Sequence, residues 1–208
     1  MIEDILRVIL GIPPTARKIG LDLDVMRKET KDWYEKLIPW QQEKEMELLS
    51  FNMEKKVQKQ GFDKIMKGAY MSIYSEFMFT FAYKDYLKGS GKNALLQIRT
   101  KSHEFVYRLK KKGTEVFVDS NYVAFITREG MMYSARTRRS LARISQLSSD
   151  YFAVIVGEKE VGHLLNPETA NKVNPRAFLI LENMNEQEEL LFSAIALIEV
   201  VLRTNKLM

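Results

Sequence analysis

The chain has 208 residues, of which 46% are hydrophobic and 28% charged, a composition typical of a globular protein with one good core. It contains no cysteine, which excludes disulfides, thiolate nucleophiles and cysteine-based zinc or iron–sulfur sites. The net charge is +5, and the excess is concentrated in residues 86–145, where thirteen Lys and Arg residues face four acids. A field of this size favours anionic partners, although a solvated surface with ordinary basic residues is an equal alternative.

The first residues do not resemble a secretory signal, because Glu3 and Asp4 occupy the place of its positive region. No stretch reaches the roughly 18–20 apolar residues that a membrane-spanning helix needs. Together with the lack of cysteine, this predicts a cytoplasmic protein, including one that is peripheral at a membrane.

Helical spacing of apolar residues dominates the first part of the chain. We predict helices over residues 2–10, from Asp22 or Asp24 to Lys36, and over residues 41–59, with prolines ending the first two. Each helix has too thin an apolar stripe to be stable alone. We therefore expect a helical N-terminal arm, residues 1–62, that packs on the rest of the chain or on another copy.

From about Tyr70 the period of the apolar residues changes to two. Short strand-like runs follow at intervals of about 8–12 residues with tight turns between them, which is typical of an antiparallel sandwich or barrel. No helical pattern separates the runs, so a doubly wound α/β fold is excluded. The predicted strands cover residues 71–77, 77–83, 94–100, 104–110, 115–119, 123–127, 131–137, 138–144, 151–156, 161–165 and 176–182.

The last element predicts the architecture. Asn183 or Asn185 caps a helix whose first turn is acidic, and residues 190–202 are then apolar nearly all round. At about 1.5 Å per residue this stretch is shorter than the hydrocarbon core of about 30 Å, so we expect a buried helix rather than a membrane anchor. Burial on all sides requires a surrounding sheet. We predict a mainly β fold, an antiparallel β-barrel over residues 66–208 that encloses its hydrophobic C-terminal helix.

This order of elements resembles the tubby C-terminal-like family, which includes tubby, the phospholipid scramblases and the plant LURP-one-related proteins. The resemblance covers about residues 66–208 and is carried by the final strand 177–182, the acidic connector 183–189, the helix 190–201 and the strand–turn–strand units 104–136 and 151–165. It implies a twelve-stranded barrel around one helix, and association with membrane lipid rather than catalysis. Tubby binds phosphoinositides through basic side chains of its barrel, but none of these is carried over to a position of this sequence. Lipid scrambling is not expected, because the calcium-binding and cysteine-rich segments associated with scramblases have no counterpart here.

The candidate site consists of basic side chains. Arg136 and Arg138 are two residues apart on a predicted strand and should share one face of it. Guanidinium groups suit phosphate oxygens because they bind two at once, and a lysine-rich turn adds further positive charge. The predicted anion- or lipid-binding residues are Arg136, Arg138, Arg139, Arg143, Lys110, Lys111 and Lys112. The alternative is a solubilising turn beside an exposed strand.

The sequence contains no recognisable catalytic or metal-binding motif. His103 and His163 are sixty residues apart without matching carboxylates, and neither a GxSxG elbow nor a phosphate-binding loop occurs. No cofactor is indicated. Glu199, the acid within the apolar helix, should reach solvent or pair with a barrel arginine, because a buried carboxylate must be compensated.

We therefore expect a non-enzymatic module that binds an anionic, phosphoinositide-like membrane lipid, or an acidic protein surface, through a basic barrel face. The alternative is a structural or adaptor protein whose helical arm mediates protein binding or homo-oligomerisation. An enzyme with a pocket at the barrel mouth is a weaker alternative. Binding of single-stranded nucleic acid to aromatic side chains beside basic ones is another, and we expect neither.

Overall fold

The computed structural model describes residues 14–40, 43–60, 63–86, 93–169 and 176–207, and the predicted helix over residues 2–10 lies outside these ranges. The helices in the described ranges are α1 (Ala16–Glu29), α2 (Lys31–Tyr34), α3 (Glu43–Met46) and α4 (Glu186–Thr204). None of the helices described is both long enough and apolar enough to cross a membrane.

Twelve strands within the described residues form one antiparallel sheet, and each strand pairs with its neighbour in sequence. They are β1 (Leu49–Gln60), β2 (Asp63–Ser72), β3 (Phe77–Asp85), β4 (Ala94–Arg99), β5 (Glu104–Lys110), β6 (Gly113–Val118), β7 (Asn121–Ile126), β8 (Met131–Ser134), β9 (Ser140–Gln146), β10 (Tyr151–Val156), β11 (Lys159–Leu165) and β12 (Phe178–Ile180). The predicted period of two is visible in β9, where Ala142 and Ile144 are buried and Arg143 between them is exposed.

The two ends of this sheet meet and nearly close it into a barrel. Ser50 of β1 forms an isolated antiparallel bridge with Arg176, just before β12. The Ala177 N–H also donates to the Leu49 carbonyl oxygen at 2.7 Å. The closing contact is therefore made by the first residues of β1 and the segment that leads into β12.

α4 fills the barrel, as its apolar sequence predicts. Ile195, Leu197 and Val200 have no exposed surface, and the core around them contains buried residues from all twelve strands. The Tyr107 hydroxyl of β5 donates to the carbonyl oxygen of Ala194 at 2.9 Å. A mainly β barrel that encloses a hydrophobic C-terminal helix is therefore confirmed.

α1 packs on the outer surface of the barrel. Its buried residues Ile19 and Met26 form a small second core with Ala82, Leu95 and Val106 of β3, β4 and β5. The opposite faces of these strands belong to the main core of the barrel, so both faces of this part of the sheet are covered. This explains the nearly continuous burial along β3 and β4.

The predicted helix over residues 41–59 is wrong. Of residues 43–59, which the structure describes, only those of α3 are helical, and Leu49–Gln60 is strand β1, which pairs with β2 from Leu49↔Ser72 to Gln60↔Asp63. Residues 49–60 of the predicted helical arm thus belong to the barrel. Many polar residues in β1 are exposed because it is the first strand of the sheet, and Lys and Glu are usual on such edges.

Candidate functional site

The turns between strands alternate between the two ends of the barrel, because each strand runs antiparallel to the next. The β4–β5, β6–β7, β8–β9 and β10–β11 turns lie at one end, which we call the arginine end. The β5–β6, β7–β8 and β9–β10 turns lie at the other, the lysine end. The turns that carry Arg136–Arg139 and Lys111–Lys112 are therefore on opposite ends, and the seven predicted residues do not form one site.

Arg136, Arg138 and Arg139 lie in the β8–β9 turn, so the prediction that Arg136 and Arg138 share a strand face is wrong. β8 ends at Ser134, and the chain reverses through Arg138, which adopts a left-handed φ of 61°. The Arg138 N–H donates to the Ser134 carbonyl oxygen at 3.0 Å. All three side chains are exposed, and none forms an ion pair with a carboxylate of the described ranges.

Arg143 lies on the outer wall of the barrel, above the same turn. It is exposed on β9, and its neighbours Ala142 and Ile144 are buried. On the other side of the turn, the Ala135 N–H donates to the Val123 carbonyl oxygen at 3.0 Å, which ties the turn to the start of β7. The exposed ring of Tyr122 precedes this contact.

The β5–β6 turn with its lysines offers less uncompensated positive charge to an anion than the β8–β9 turn does. Lys110 forms an ion pair with Glu115, and Arg108 lies 3.3 Å from the same carboxylate. Lys111 and Lys112 are exposed at the tip of the turn. Only these two of the three predicted lysines can offer an uncompensated charge.

A cleft of about 760 Å³ opens at the lysine end, beside the C-terminal end of α4. Arg203 lies 3.7 Å above the Phe152 ring, and its Nε is 2.8 Å from Glu199 Oε2. The carboxylate of Glu199 is thus compensated as expected, with Arg203 of its own helix as a partner. The charged lining side chains, three basic and three acidic, are Arg128, Arg203, Lys206, Glu129, Glu168 and Glu199. Balanced charges give this cleft no preference for anions.

A smaller groove of about 250 Å³ lies at the arginine end, between the N-terminal arm and the β4–β5 turn. Arg27 and Tyr34 line it from the arm, and Arg99 and Lys101 line it from the barrel. Sequence reasoning missed this groove because these pairs are more than sixty residues apart in the chain. In the sequence, Tyr34 lies at helical spacing from Leu23, Met26 and Leu37, and this pattern is the signal that could have indicated its contact with the barrel.

Each histidine pairs with one carboxylate. His103 Nδ1 is 2.8 Å from Asp119 Oδ2, and His163 Nε2 is 2.7 Å from Glu160 Oε1. The part of the chain that the structure describes contains no group of three or more His, Asp or Glu side chains that could hold a metal ion. The His103 contact thus joins the β4–β5 turn to the β6–β7 turn, whereas the His163 contact lies within β11.

No protein-family model, curated protein or solved structure matches this chain. The resemblance to the tubby C-terminal-like family therefore stays a prediction that rests on the order of the elements.

Proposed function

We propose that the chain is a non-enzymatic module that associates with anionic membrane lipid through the arginine end of its barrel. The observation that carries this proposal is the β8–β9 turn, in which Arg136, Arg138 and Arg139 are exposed together without a carboxylate partner among the described residues. Like charges held this close repel one another, and an anionic surface removes that cost. Each basic residue near such a surface contributes about 1 kcal/mol.

Two further features support a membrane surface as the anion. A guanidinium group binds phosphate oxygens bidentately, so three adjacent arginines suit lipid headgroups better than a diffuse charge would. The exposed ring of Tyr122 lies at the same end, and tyrosine suits an interface where its ring is apolar and its hydroxyl is wet. The resemblance to the tubby C-terminal-like family implies the same kind of ligand.

Vesicle co-sedimentation tests this proposal. The protein should pellet with vesicles that contain phosphatidylserine or a phosphoinositide, but not with neutral vesicles, and high salt should weaken the binding. Loss of three contacts of about 1 kcal/mol each should weaken binding of Arg136→Gln/Arg138→Gln/Arg139→Gln by about 100-fold.

The matched control removes three positive charges from the lysine end, with Lys111→Gln/Lys112→Gln/Arg128→Gln. It should bind within about threefold of the wild type, because these side chains face away from the membrane in the proposed orientation. Equal losses in both variants would mean that net charge alone drives binding. Absence of pelleting with anionic vesicles at low salt would exclude the proposal.

The second candidate function is that of an adaptor that acts through the N-terminal arm. Leu21 and Val25 lie one turn apart on α1 and are 56% and 41% exposed, although α1 is already docked on the barrel. They form a short apolar strip that a partner protein or a second copy would cover. Sedimentation equilibrium should then show association that Leu21→Lys/Val25→Lys abolishes, and a concentration-independent monomer would count against it.

A further inference from the structure

The groove between the arm and the arginine end contains cations that the lipid proposal does not use. Its walls are Arg27 and Tyr34 from α1 and α2, together with residues 99–104 and Asp119 from the barrel. The volume of about 250 Å³ is several times the roughly 30 Å³ that a water molecule occupies in the liquid. A small polar group therefore fits in it.

The two acids of the groove are already satisfied by the protein. Glu104 accepts from Arg27 Nε at 2.9 Å, from Arg27 Nη2 at 2.7 Å and from Gln97 Nε2 at 2.8 Å. Asp119 accepts from the Glu104 N–H at 2.9 Å and lies 2.8 Å from His103 Nδ1. Partial burial raises the pKa of Asp119, but these two hydrogen bonds outweigh it and leave the pKa below its usual value.

Two cations of the groove, Arg99 and Lys101, have no carboxylate within hydrogen-bond distance among the described residues. The guanidinium of Arg99 lies 3.5 Å from the centre of the Tyr34 ring, and its nearest carboxylate contact, from Nε to Glu104 Oε1, is 3.9 Å. That distance is too long for a hydrogen bond. Lys101 Nζ lies 5.5 Å from the same ring and forms no ion pair within the described ranges. The fold thus holds two positive charges beside one aromatic face, where Arg99 has only a long ion pair with Glu104 and Lys101 has none within the described ranges.

The β4–β5 turn adds neutral donors beside these cations. The Thr100 N–H donates to the His103 carbonyl oxygen at 3.0 Å, and the His103 N–H donates to Thr100 Oγ1 at 3.0 Å. The backbone N–H groups of Lys101 and Ser102, at the tip of the turn, have no acceptor among the described residues. Successive unpaired N–H groups beside basic side chains are the usual elements of a phosphate-binding turn.

We propose that this groove binds an oxyanion of the phosphate type, held by Arg99, Lys101 and the N–H groups of the β4–β5 turn. Tyr34 positions the Arg99 guanidinium by stacking, and Arg27 keeps Glu104 neutralised so that its charge does not repel the ligand. Because Arg27 and Tyr34 belong to the arm, a bound oxyanion also stabilises the docked arm. This proposal uses residues other than Arg136, Arg138 and Arg139 of the β8–β9 turn, so it does not depend on the lipid proposal.

The test is a titration of the protein with inorganic phosphate at constant ionic strength, with chloride as the balancing anion. Backbone amide signals of Lys101 and Ser102 are followed by NMR. They should shift in a saturable way, and Arg99→Gln/Lys101→Gln should weaken binding at least about tenfold, the effect of losing about 1.4 kcal/mol. Lys101→Gln alone replaces an exposed side chain and should weaken binding severalfold without any effect on folding.

Three matched variants make the result specific. Lys111→Gln/Lys112→Gln removes the same charge from the lysine end and should leave phosphate binding unchanged. Tyr34→Ala removes the stacked ring and should weaken phosphate binding, whereas Tyr34→Phe retains a ring and should recover most of the binding that Tyr34→Ala loses. Absence of saturable shifts at Lys101 and Ser102, or an equal loss in the remote double variant, would overturn the proposal.

Vesicles distinguish the source of the oxyanion. If a lipid headgroup supplies it, Arg99→Gln/Lys101→Gln should reduce binding to vesicles with a phosphate-monoester headgroup, and inorganic phosphate should compete. If a soluble phosphorylated compound supplies it, vesicle binding should be unchanged while the phosphate titration is lost. Both outcomes support an oxyanion site. Both can be distinguished from the effect of Arg136→Gln/Arg138→Gln/Arg139→Gln, which tests the lipid proposal.

Discussion

Asp22 and Lys84 are charged side chains buried beneath α1, with 4% and 2% of their surfaces exposed. Lys84 Nζ lies 3.0 Å from Asp22 Oδ1, and the same carboxylate accepts from the Tyr86 hydroxyl at 2.8 Å and from Lys18 Nζ at 3.1 Å. A charge buried in this way must keep its partner, because water cannot replace it. The pair therefore fixes the arm in one position on the barrel.

Removal of one partner should be costly. Asp22→Ala removes the carboxylate that lies 3.0 Å from the buried ammonium group of Lys84, so we expect the free energy of unfolding in urea to fall by about 3–5 kcal/mol. Asp24→Ala is the matched control on the same helix, and it should cost less than about 1 kcal/mol because the Asp24–Arg27 pair is exposed. Asp22→Leu/Lys84→Met should recover most of the loss. Equal losses for Asp22→Ala and Asp24→Ala would contradict this role.

Tyr107 makes the stability of the barrel depend on alkaline pH. Burial raises the pKa of its phenol well above the usual value, and the hydroxyl donates to Ala194 of α4. Above about pH 10 the unfolded chain loses this proton while the folded chain keeps it, so stability falls as the pH rises. The contribution is complete below the unfolded pKa and decreases by about 1.36 kcal/mol per pH unit above it.

Tyr107→Phe should therefore destabilise the protein at pH 8 by about 1 kcal/mol, through the lost hydrogen bond. Because the variant lacks the ionisable group, its stability relative to the wild type should rise by about 1 kcal/mol between pH 10 and 11, so that the difference reverses sign. Urea unfolding at these pH values measures both numbers. Tyr74→Phe, at an exposed site, is the control and should change neither. A difference that does not vary with pH would argue against a neutral, buried phenol.

At the scale of single elements, α4 is the clearest case in which sequence determines structure. The apolar run predicts the buried helix, and Asn185 caps it with a capping box in which its side chain accepts from the Glu188 N–H at 3.0 Å. The sequence left Asn183 as an equal choice. Only the structure separates them, because the side chain of Asn183 makes no capping contact and its carbonyl oxygen accepts from Lys159.

The two asparagines form a matched pair for measurement. Asn185→Ala should lower the free energy of unfolding by about 1 kcal/mol, because it leaves N–H groups of the first turn without an acceptor. Asn183→Ala should change it by less than about 0.5 kcal/mol, the usual range for a surface substitution. Chemical denaturation of both variants checks this, and a larger effect at Asn183 would mean that the helix begins earlier in solution.

β1 is the element that sequence reasoning assigned to the wrong class. Phe51, Met53 and Val57 alternate with Asn52 and Glu54, so a period of two was present in the sequence. The surrounding Lys, Glu and Gln residues favour a helix locally, and only pairing with β2 decides for the strand. Strand pairing outweighs the local helical propensity here because the twelve residues of β1 form a ladder of backbone hydrogen bonds.

The candidate site was less predictable than the fold because it also depends on how the strands pair. Composition located the basic region, but the pairing of strands decides which turns share an end of the barrel. Lys110 also finds Glu115 across a tight turn, which removes one predicted contact. The groove with Arg99 depends on Tyr34, which lies more than sixty residues earlier in the chain, and no local pattern indicates such a contact.

For the whole molecule, the position of β1 determines where the chain can be shortened. A variant without residues 1–36 loses the arm but keeps β1 and the bond from Trp40 Nε1 to the Met78 carbonyl oxygen at 2.9 Å. We expect it to unfold cooperatively in urea with reduced stability, because Ala82 and Leu95 lose their cover. A variant without residues 1–60 lacks β1 and the closing bridge, and we expect no cooperative transition.

Circular dichroism and urea unfolding of both truncated variants check this prediction. A cooperative transition in the variant without residues 1–60, with an unchanged dependence on denaturant, would mean that β1 is dispensable. The comparison also decides which truncation can be used to test the adaptor function, since loss of the barrel would abolish any association for a trivial reason.

The strictly sequential order of the strands has a consequence for synthesis. Each hairpin can form from adjacent segments as they leave the ribosome, but α4, which all strands enclose, is translated after every one of them. Chains grow at about 5–20 residues per second, so the apolar inner faces of the strands remain uncovered for seconds until the helix is synthesised. Chaperone demand and aggregation during expression should therefore depend on how fast the last codons are read.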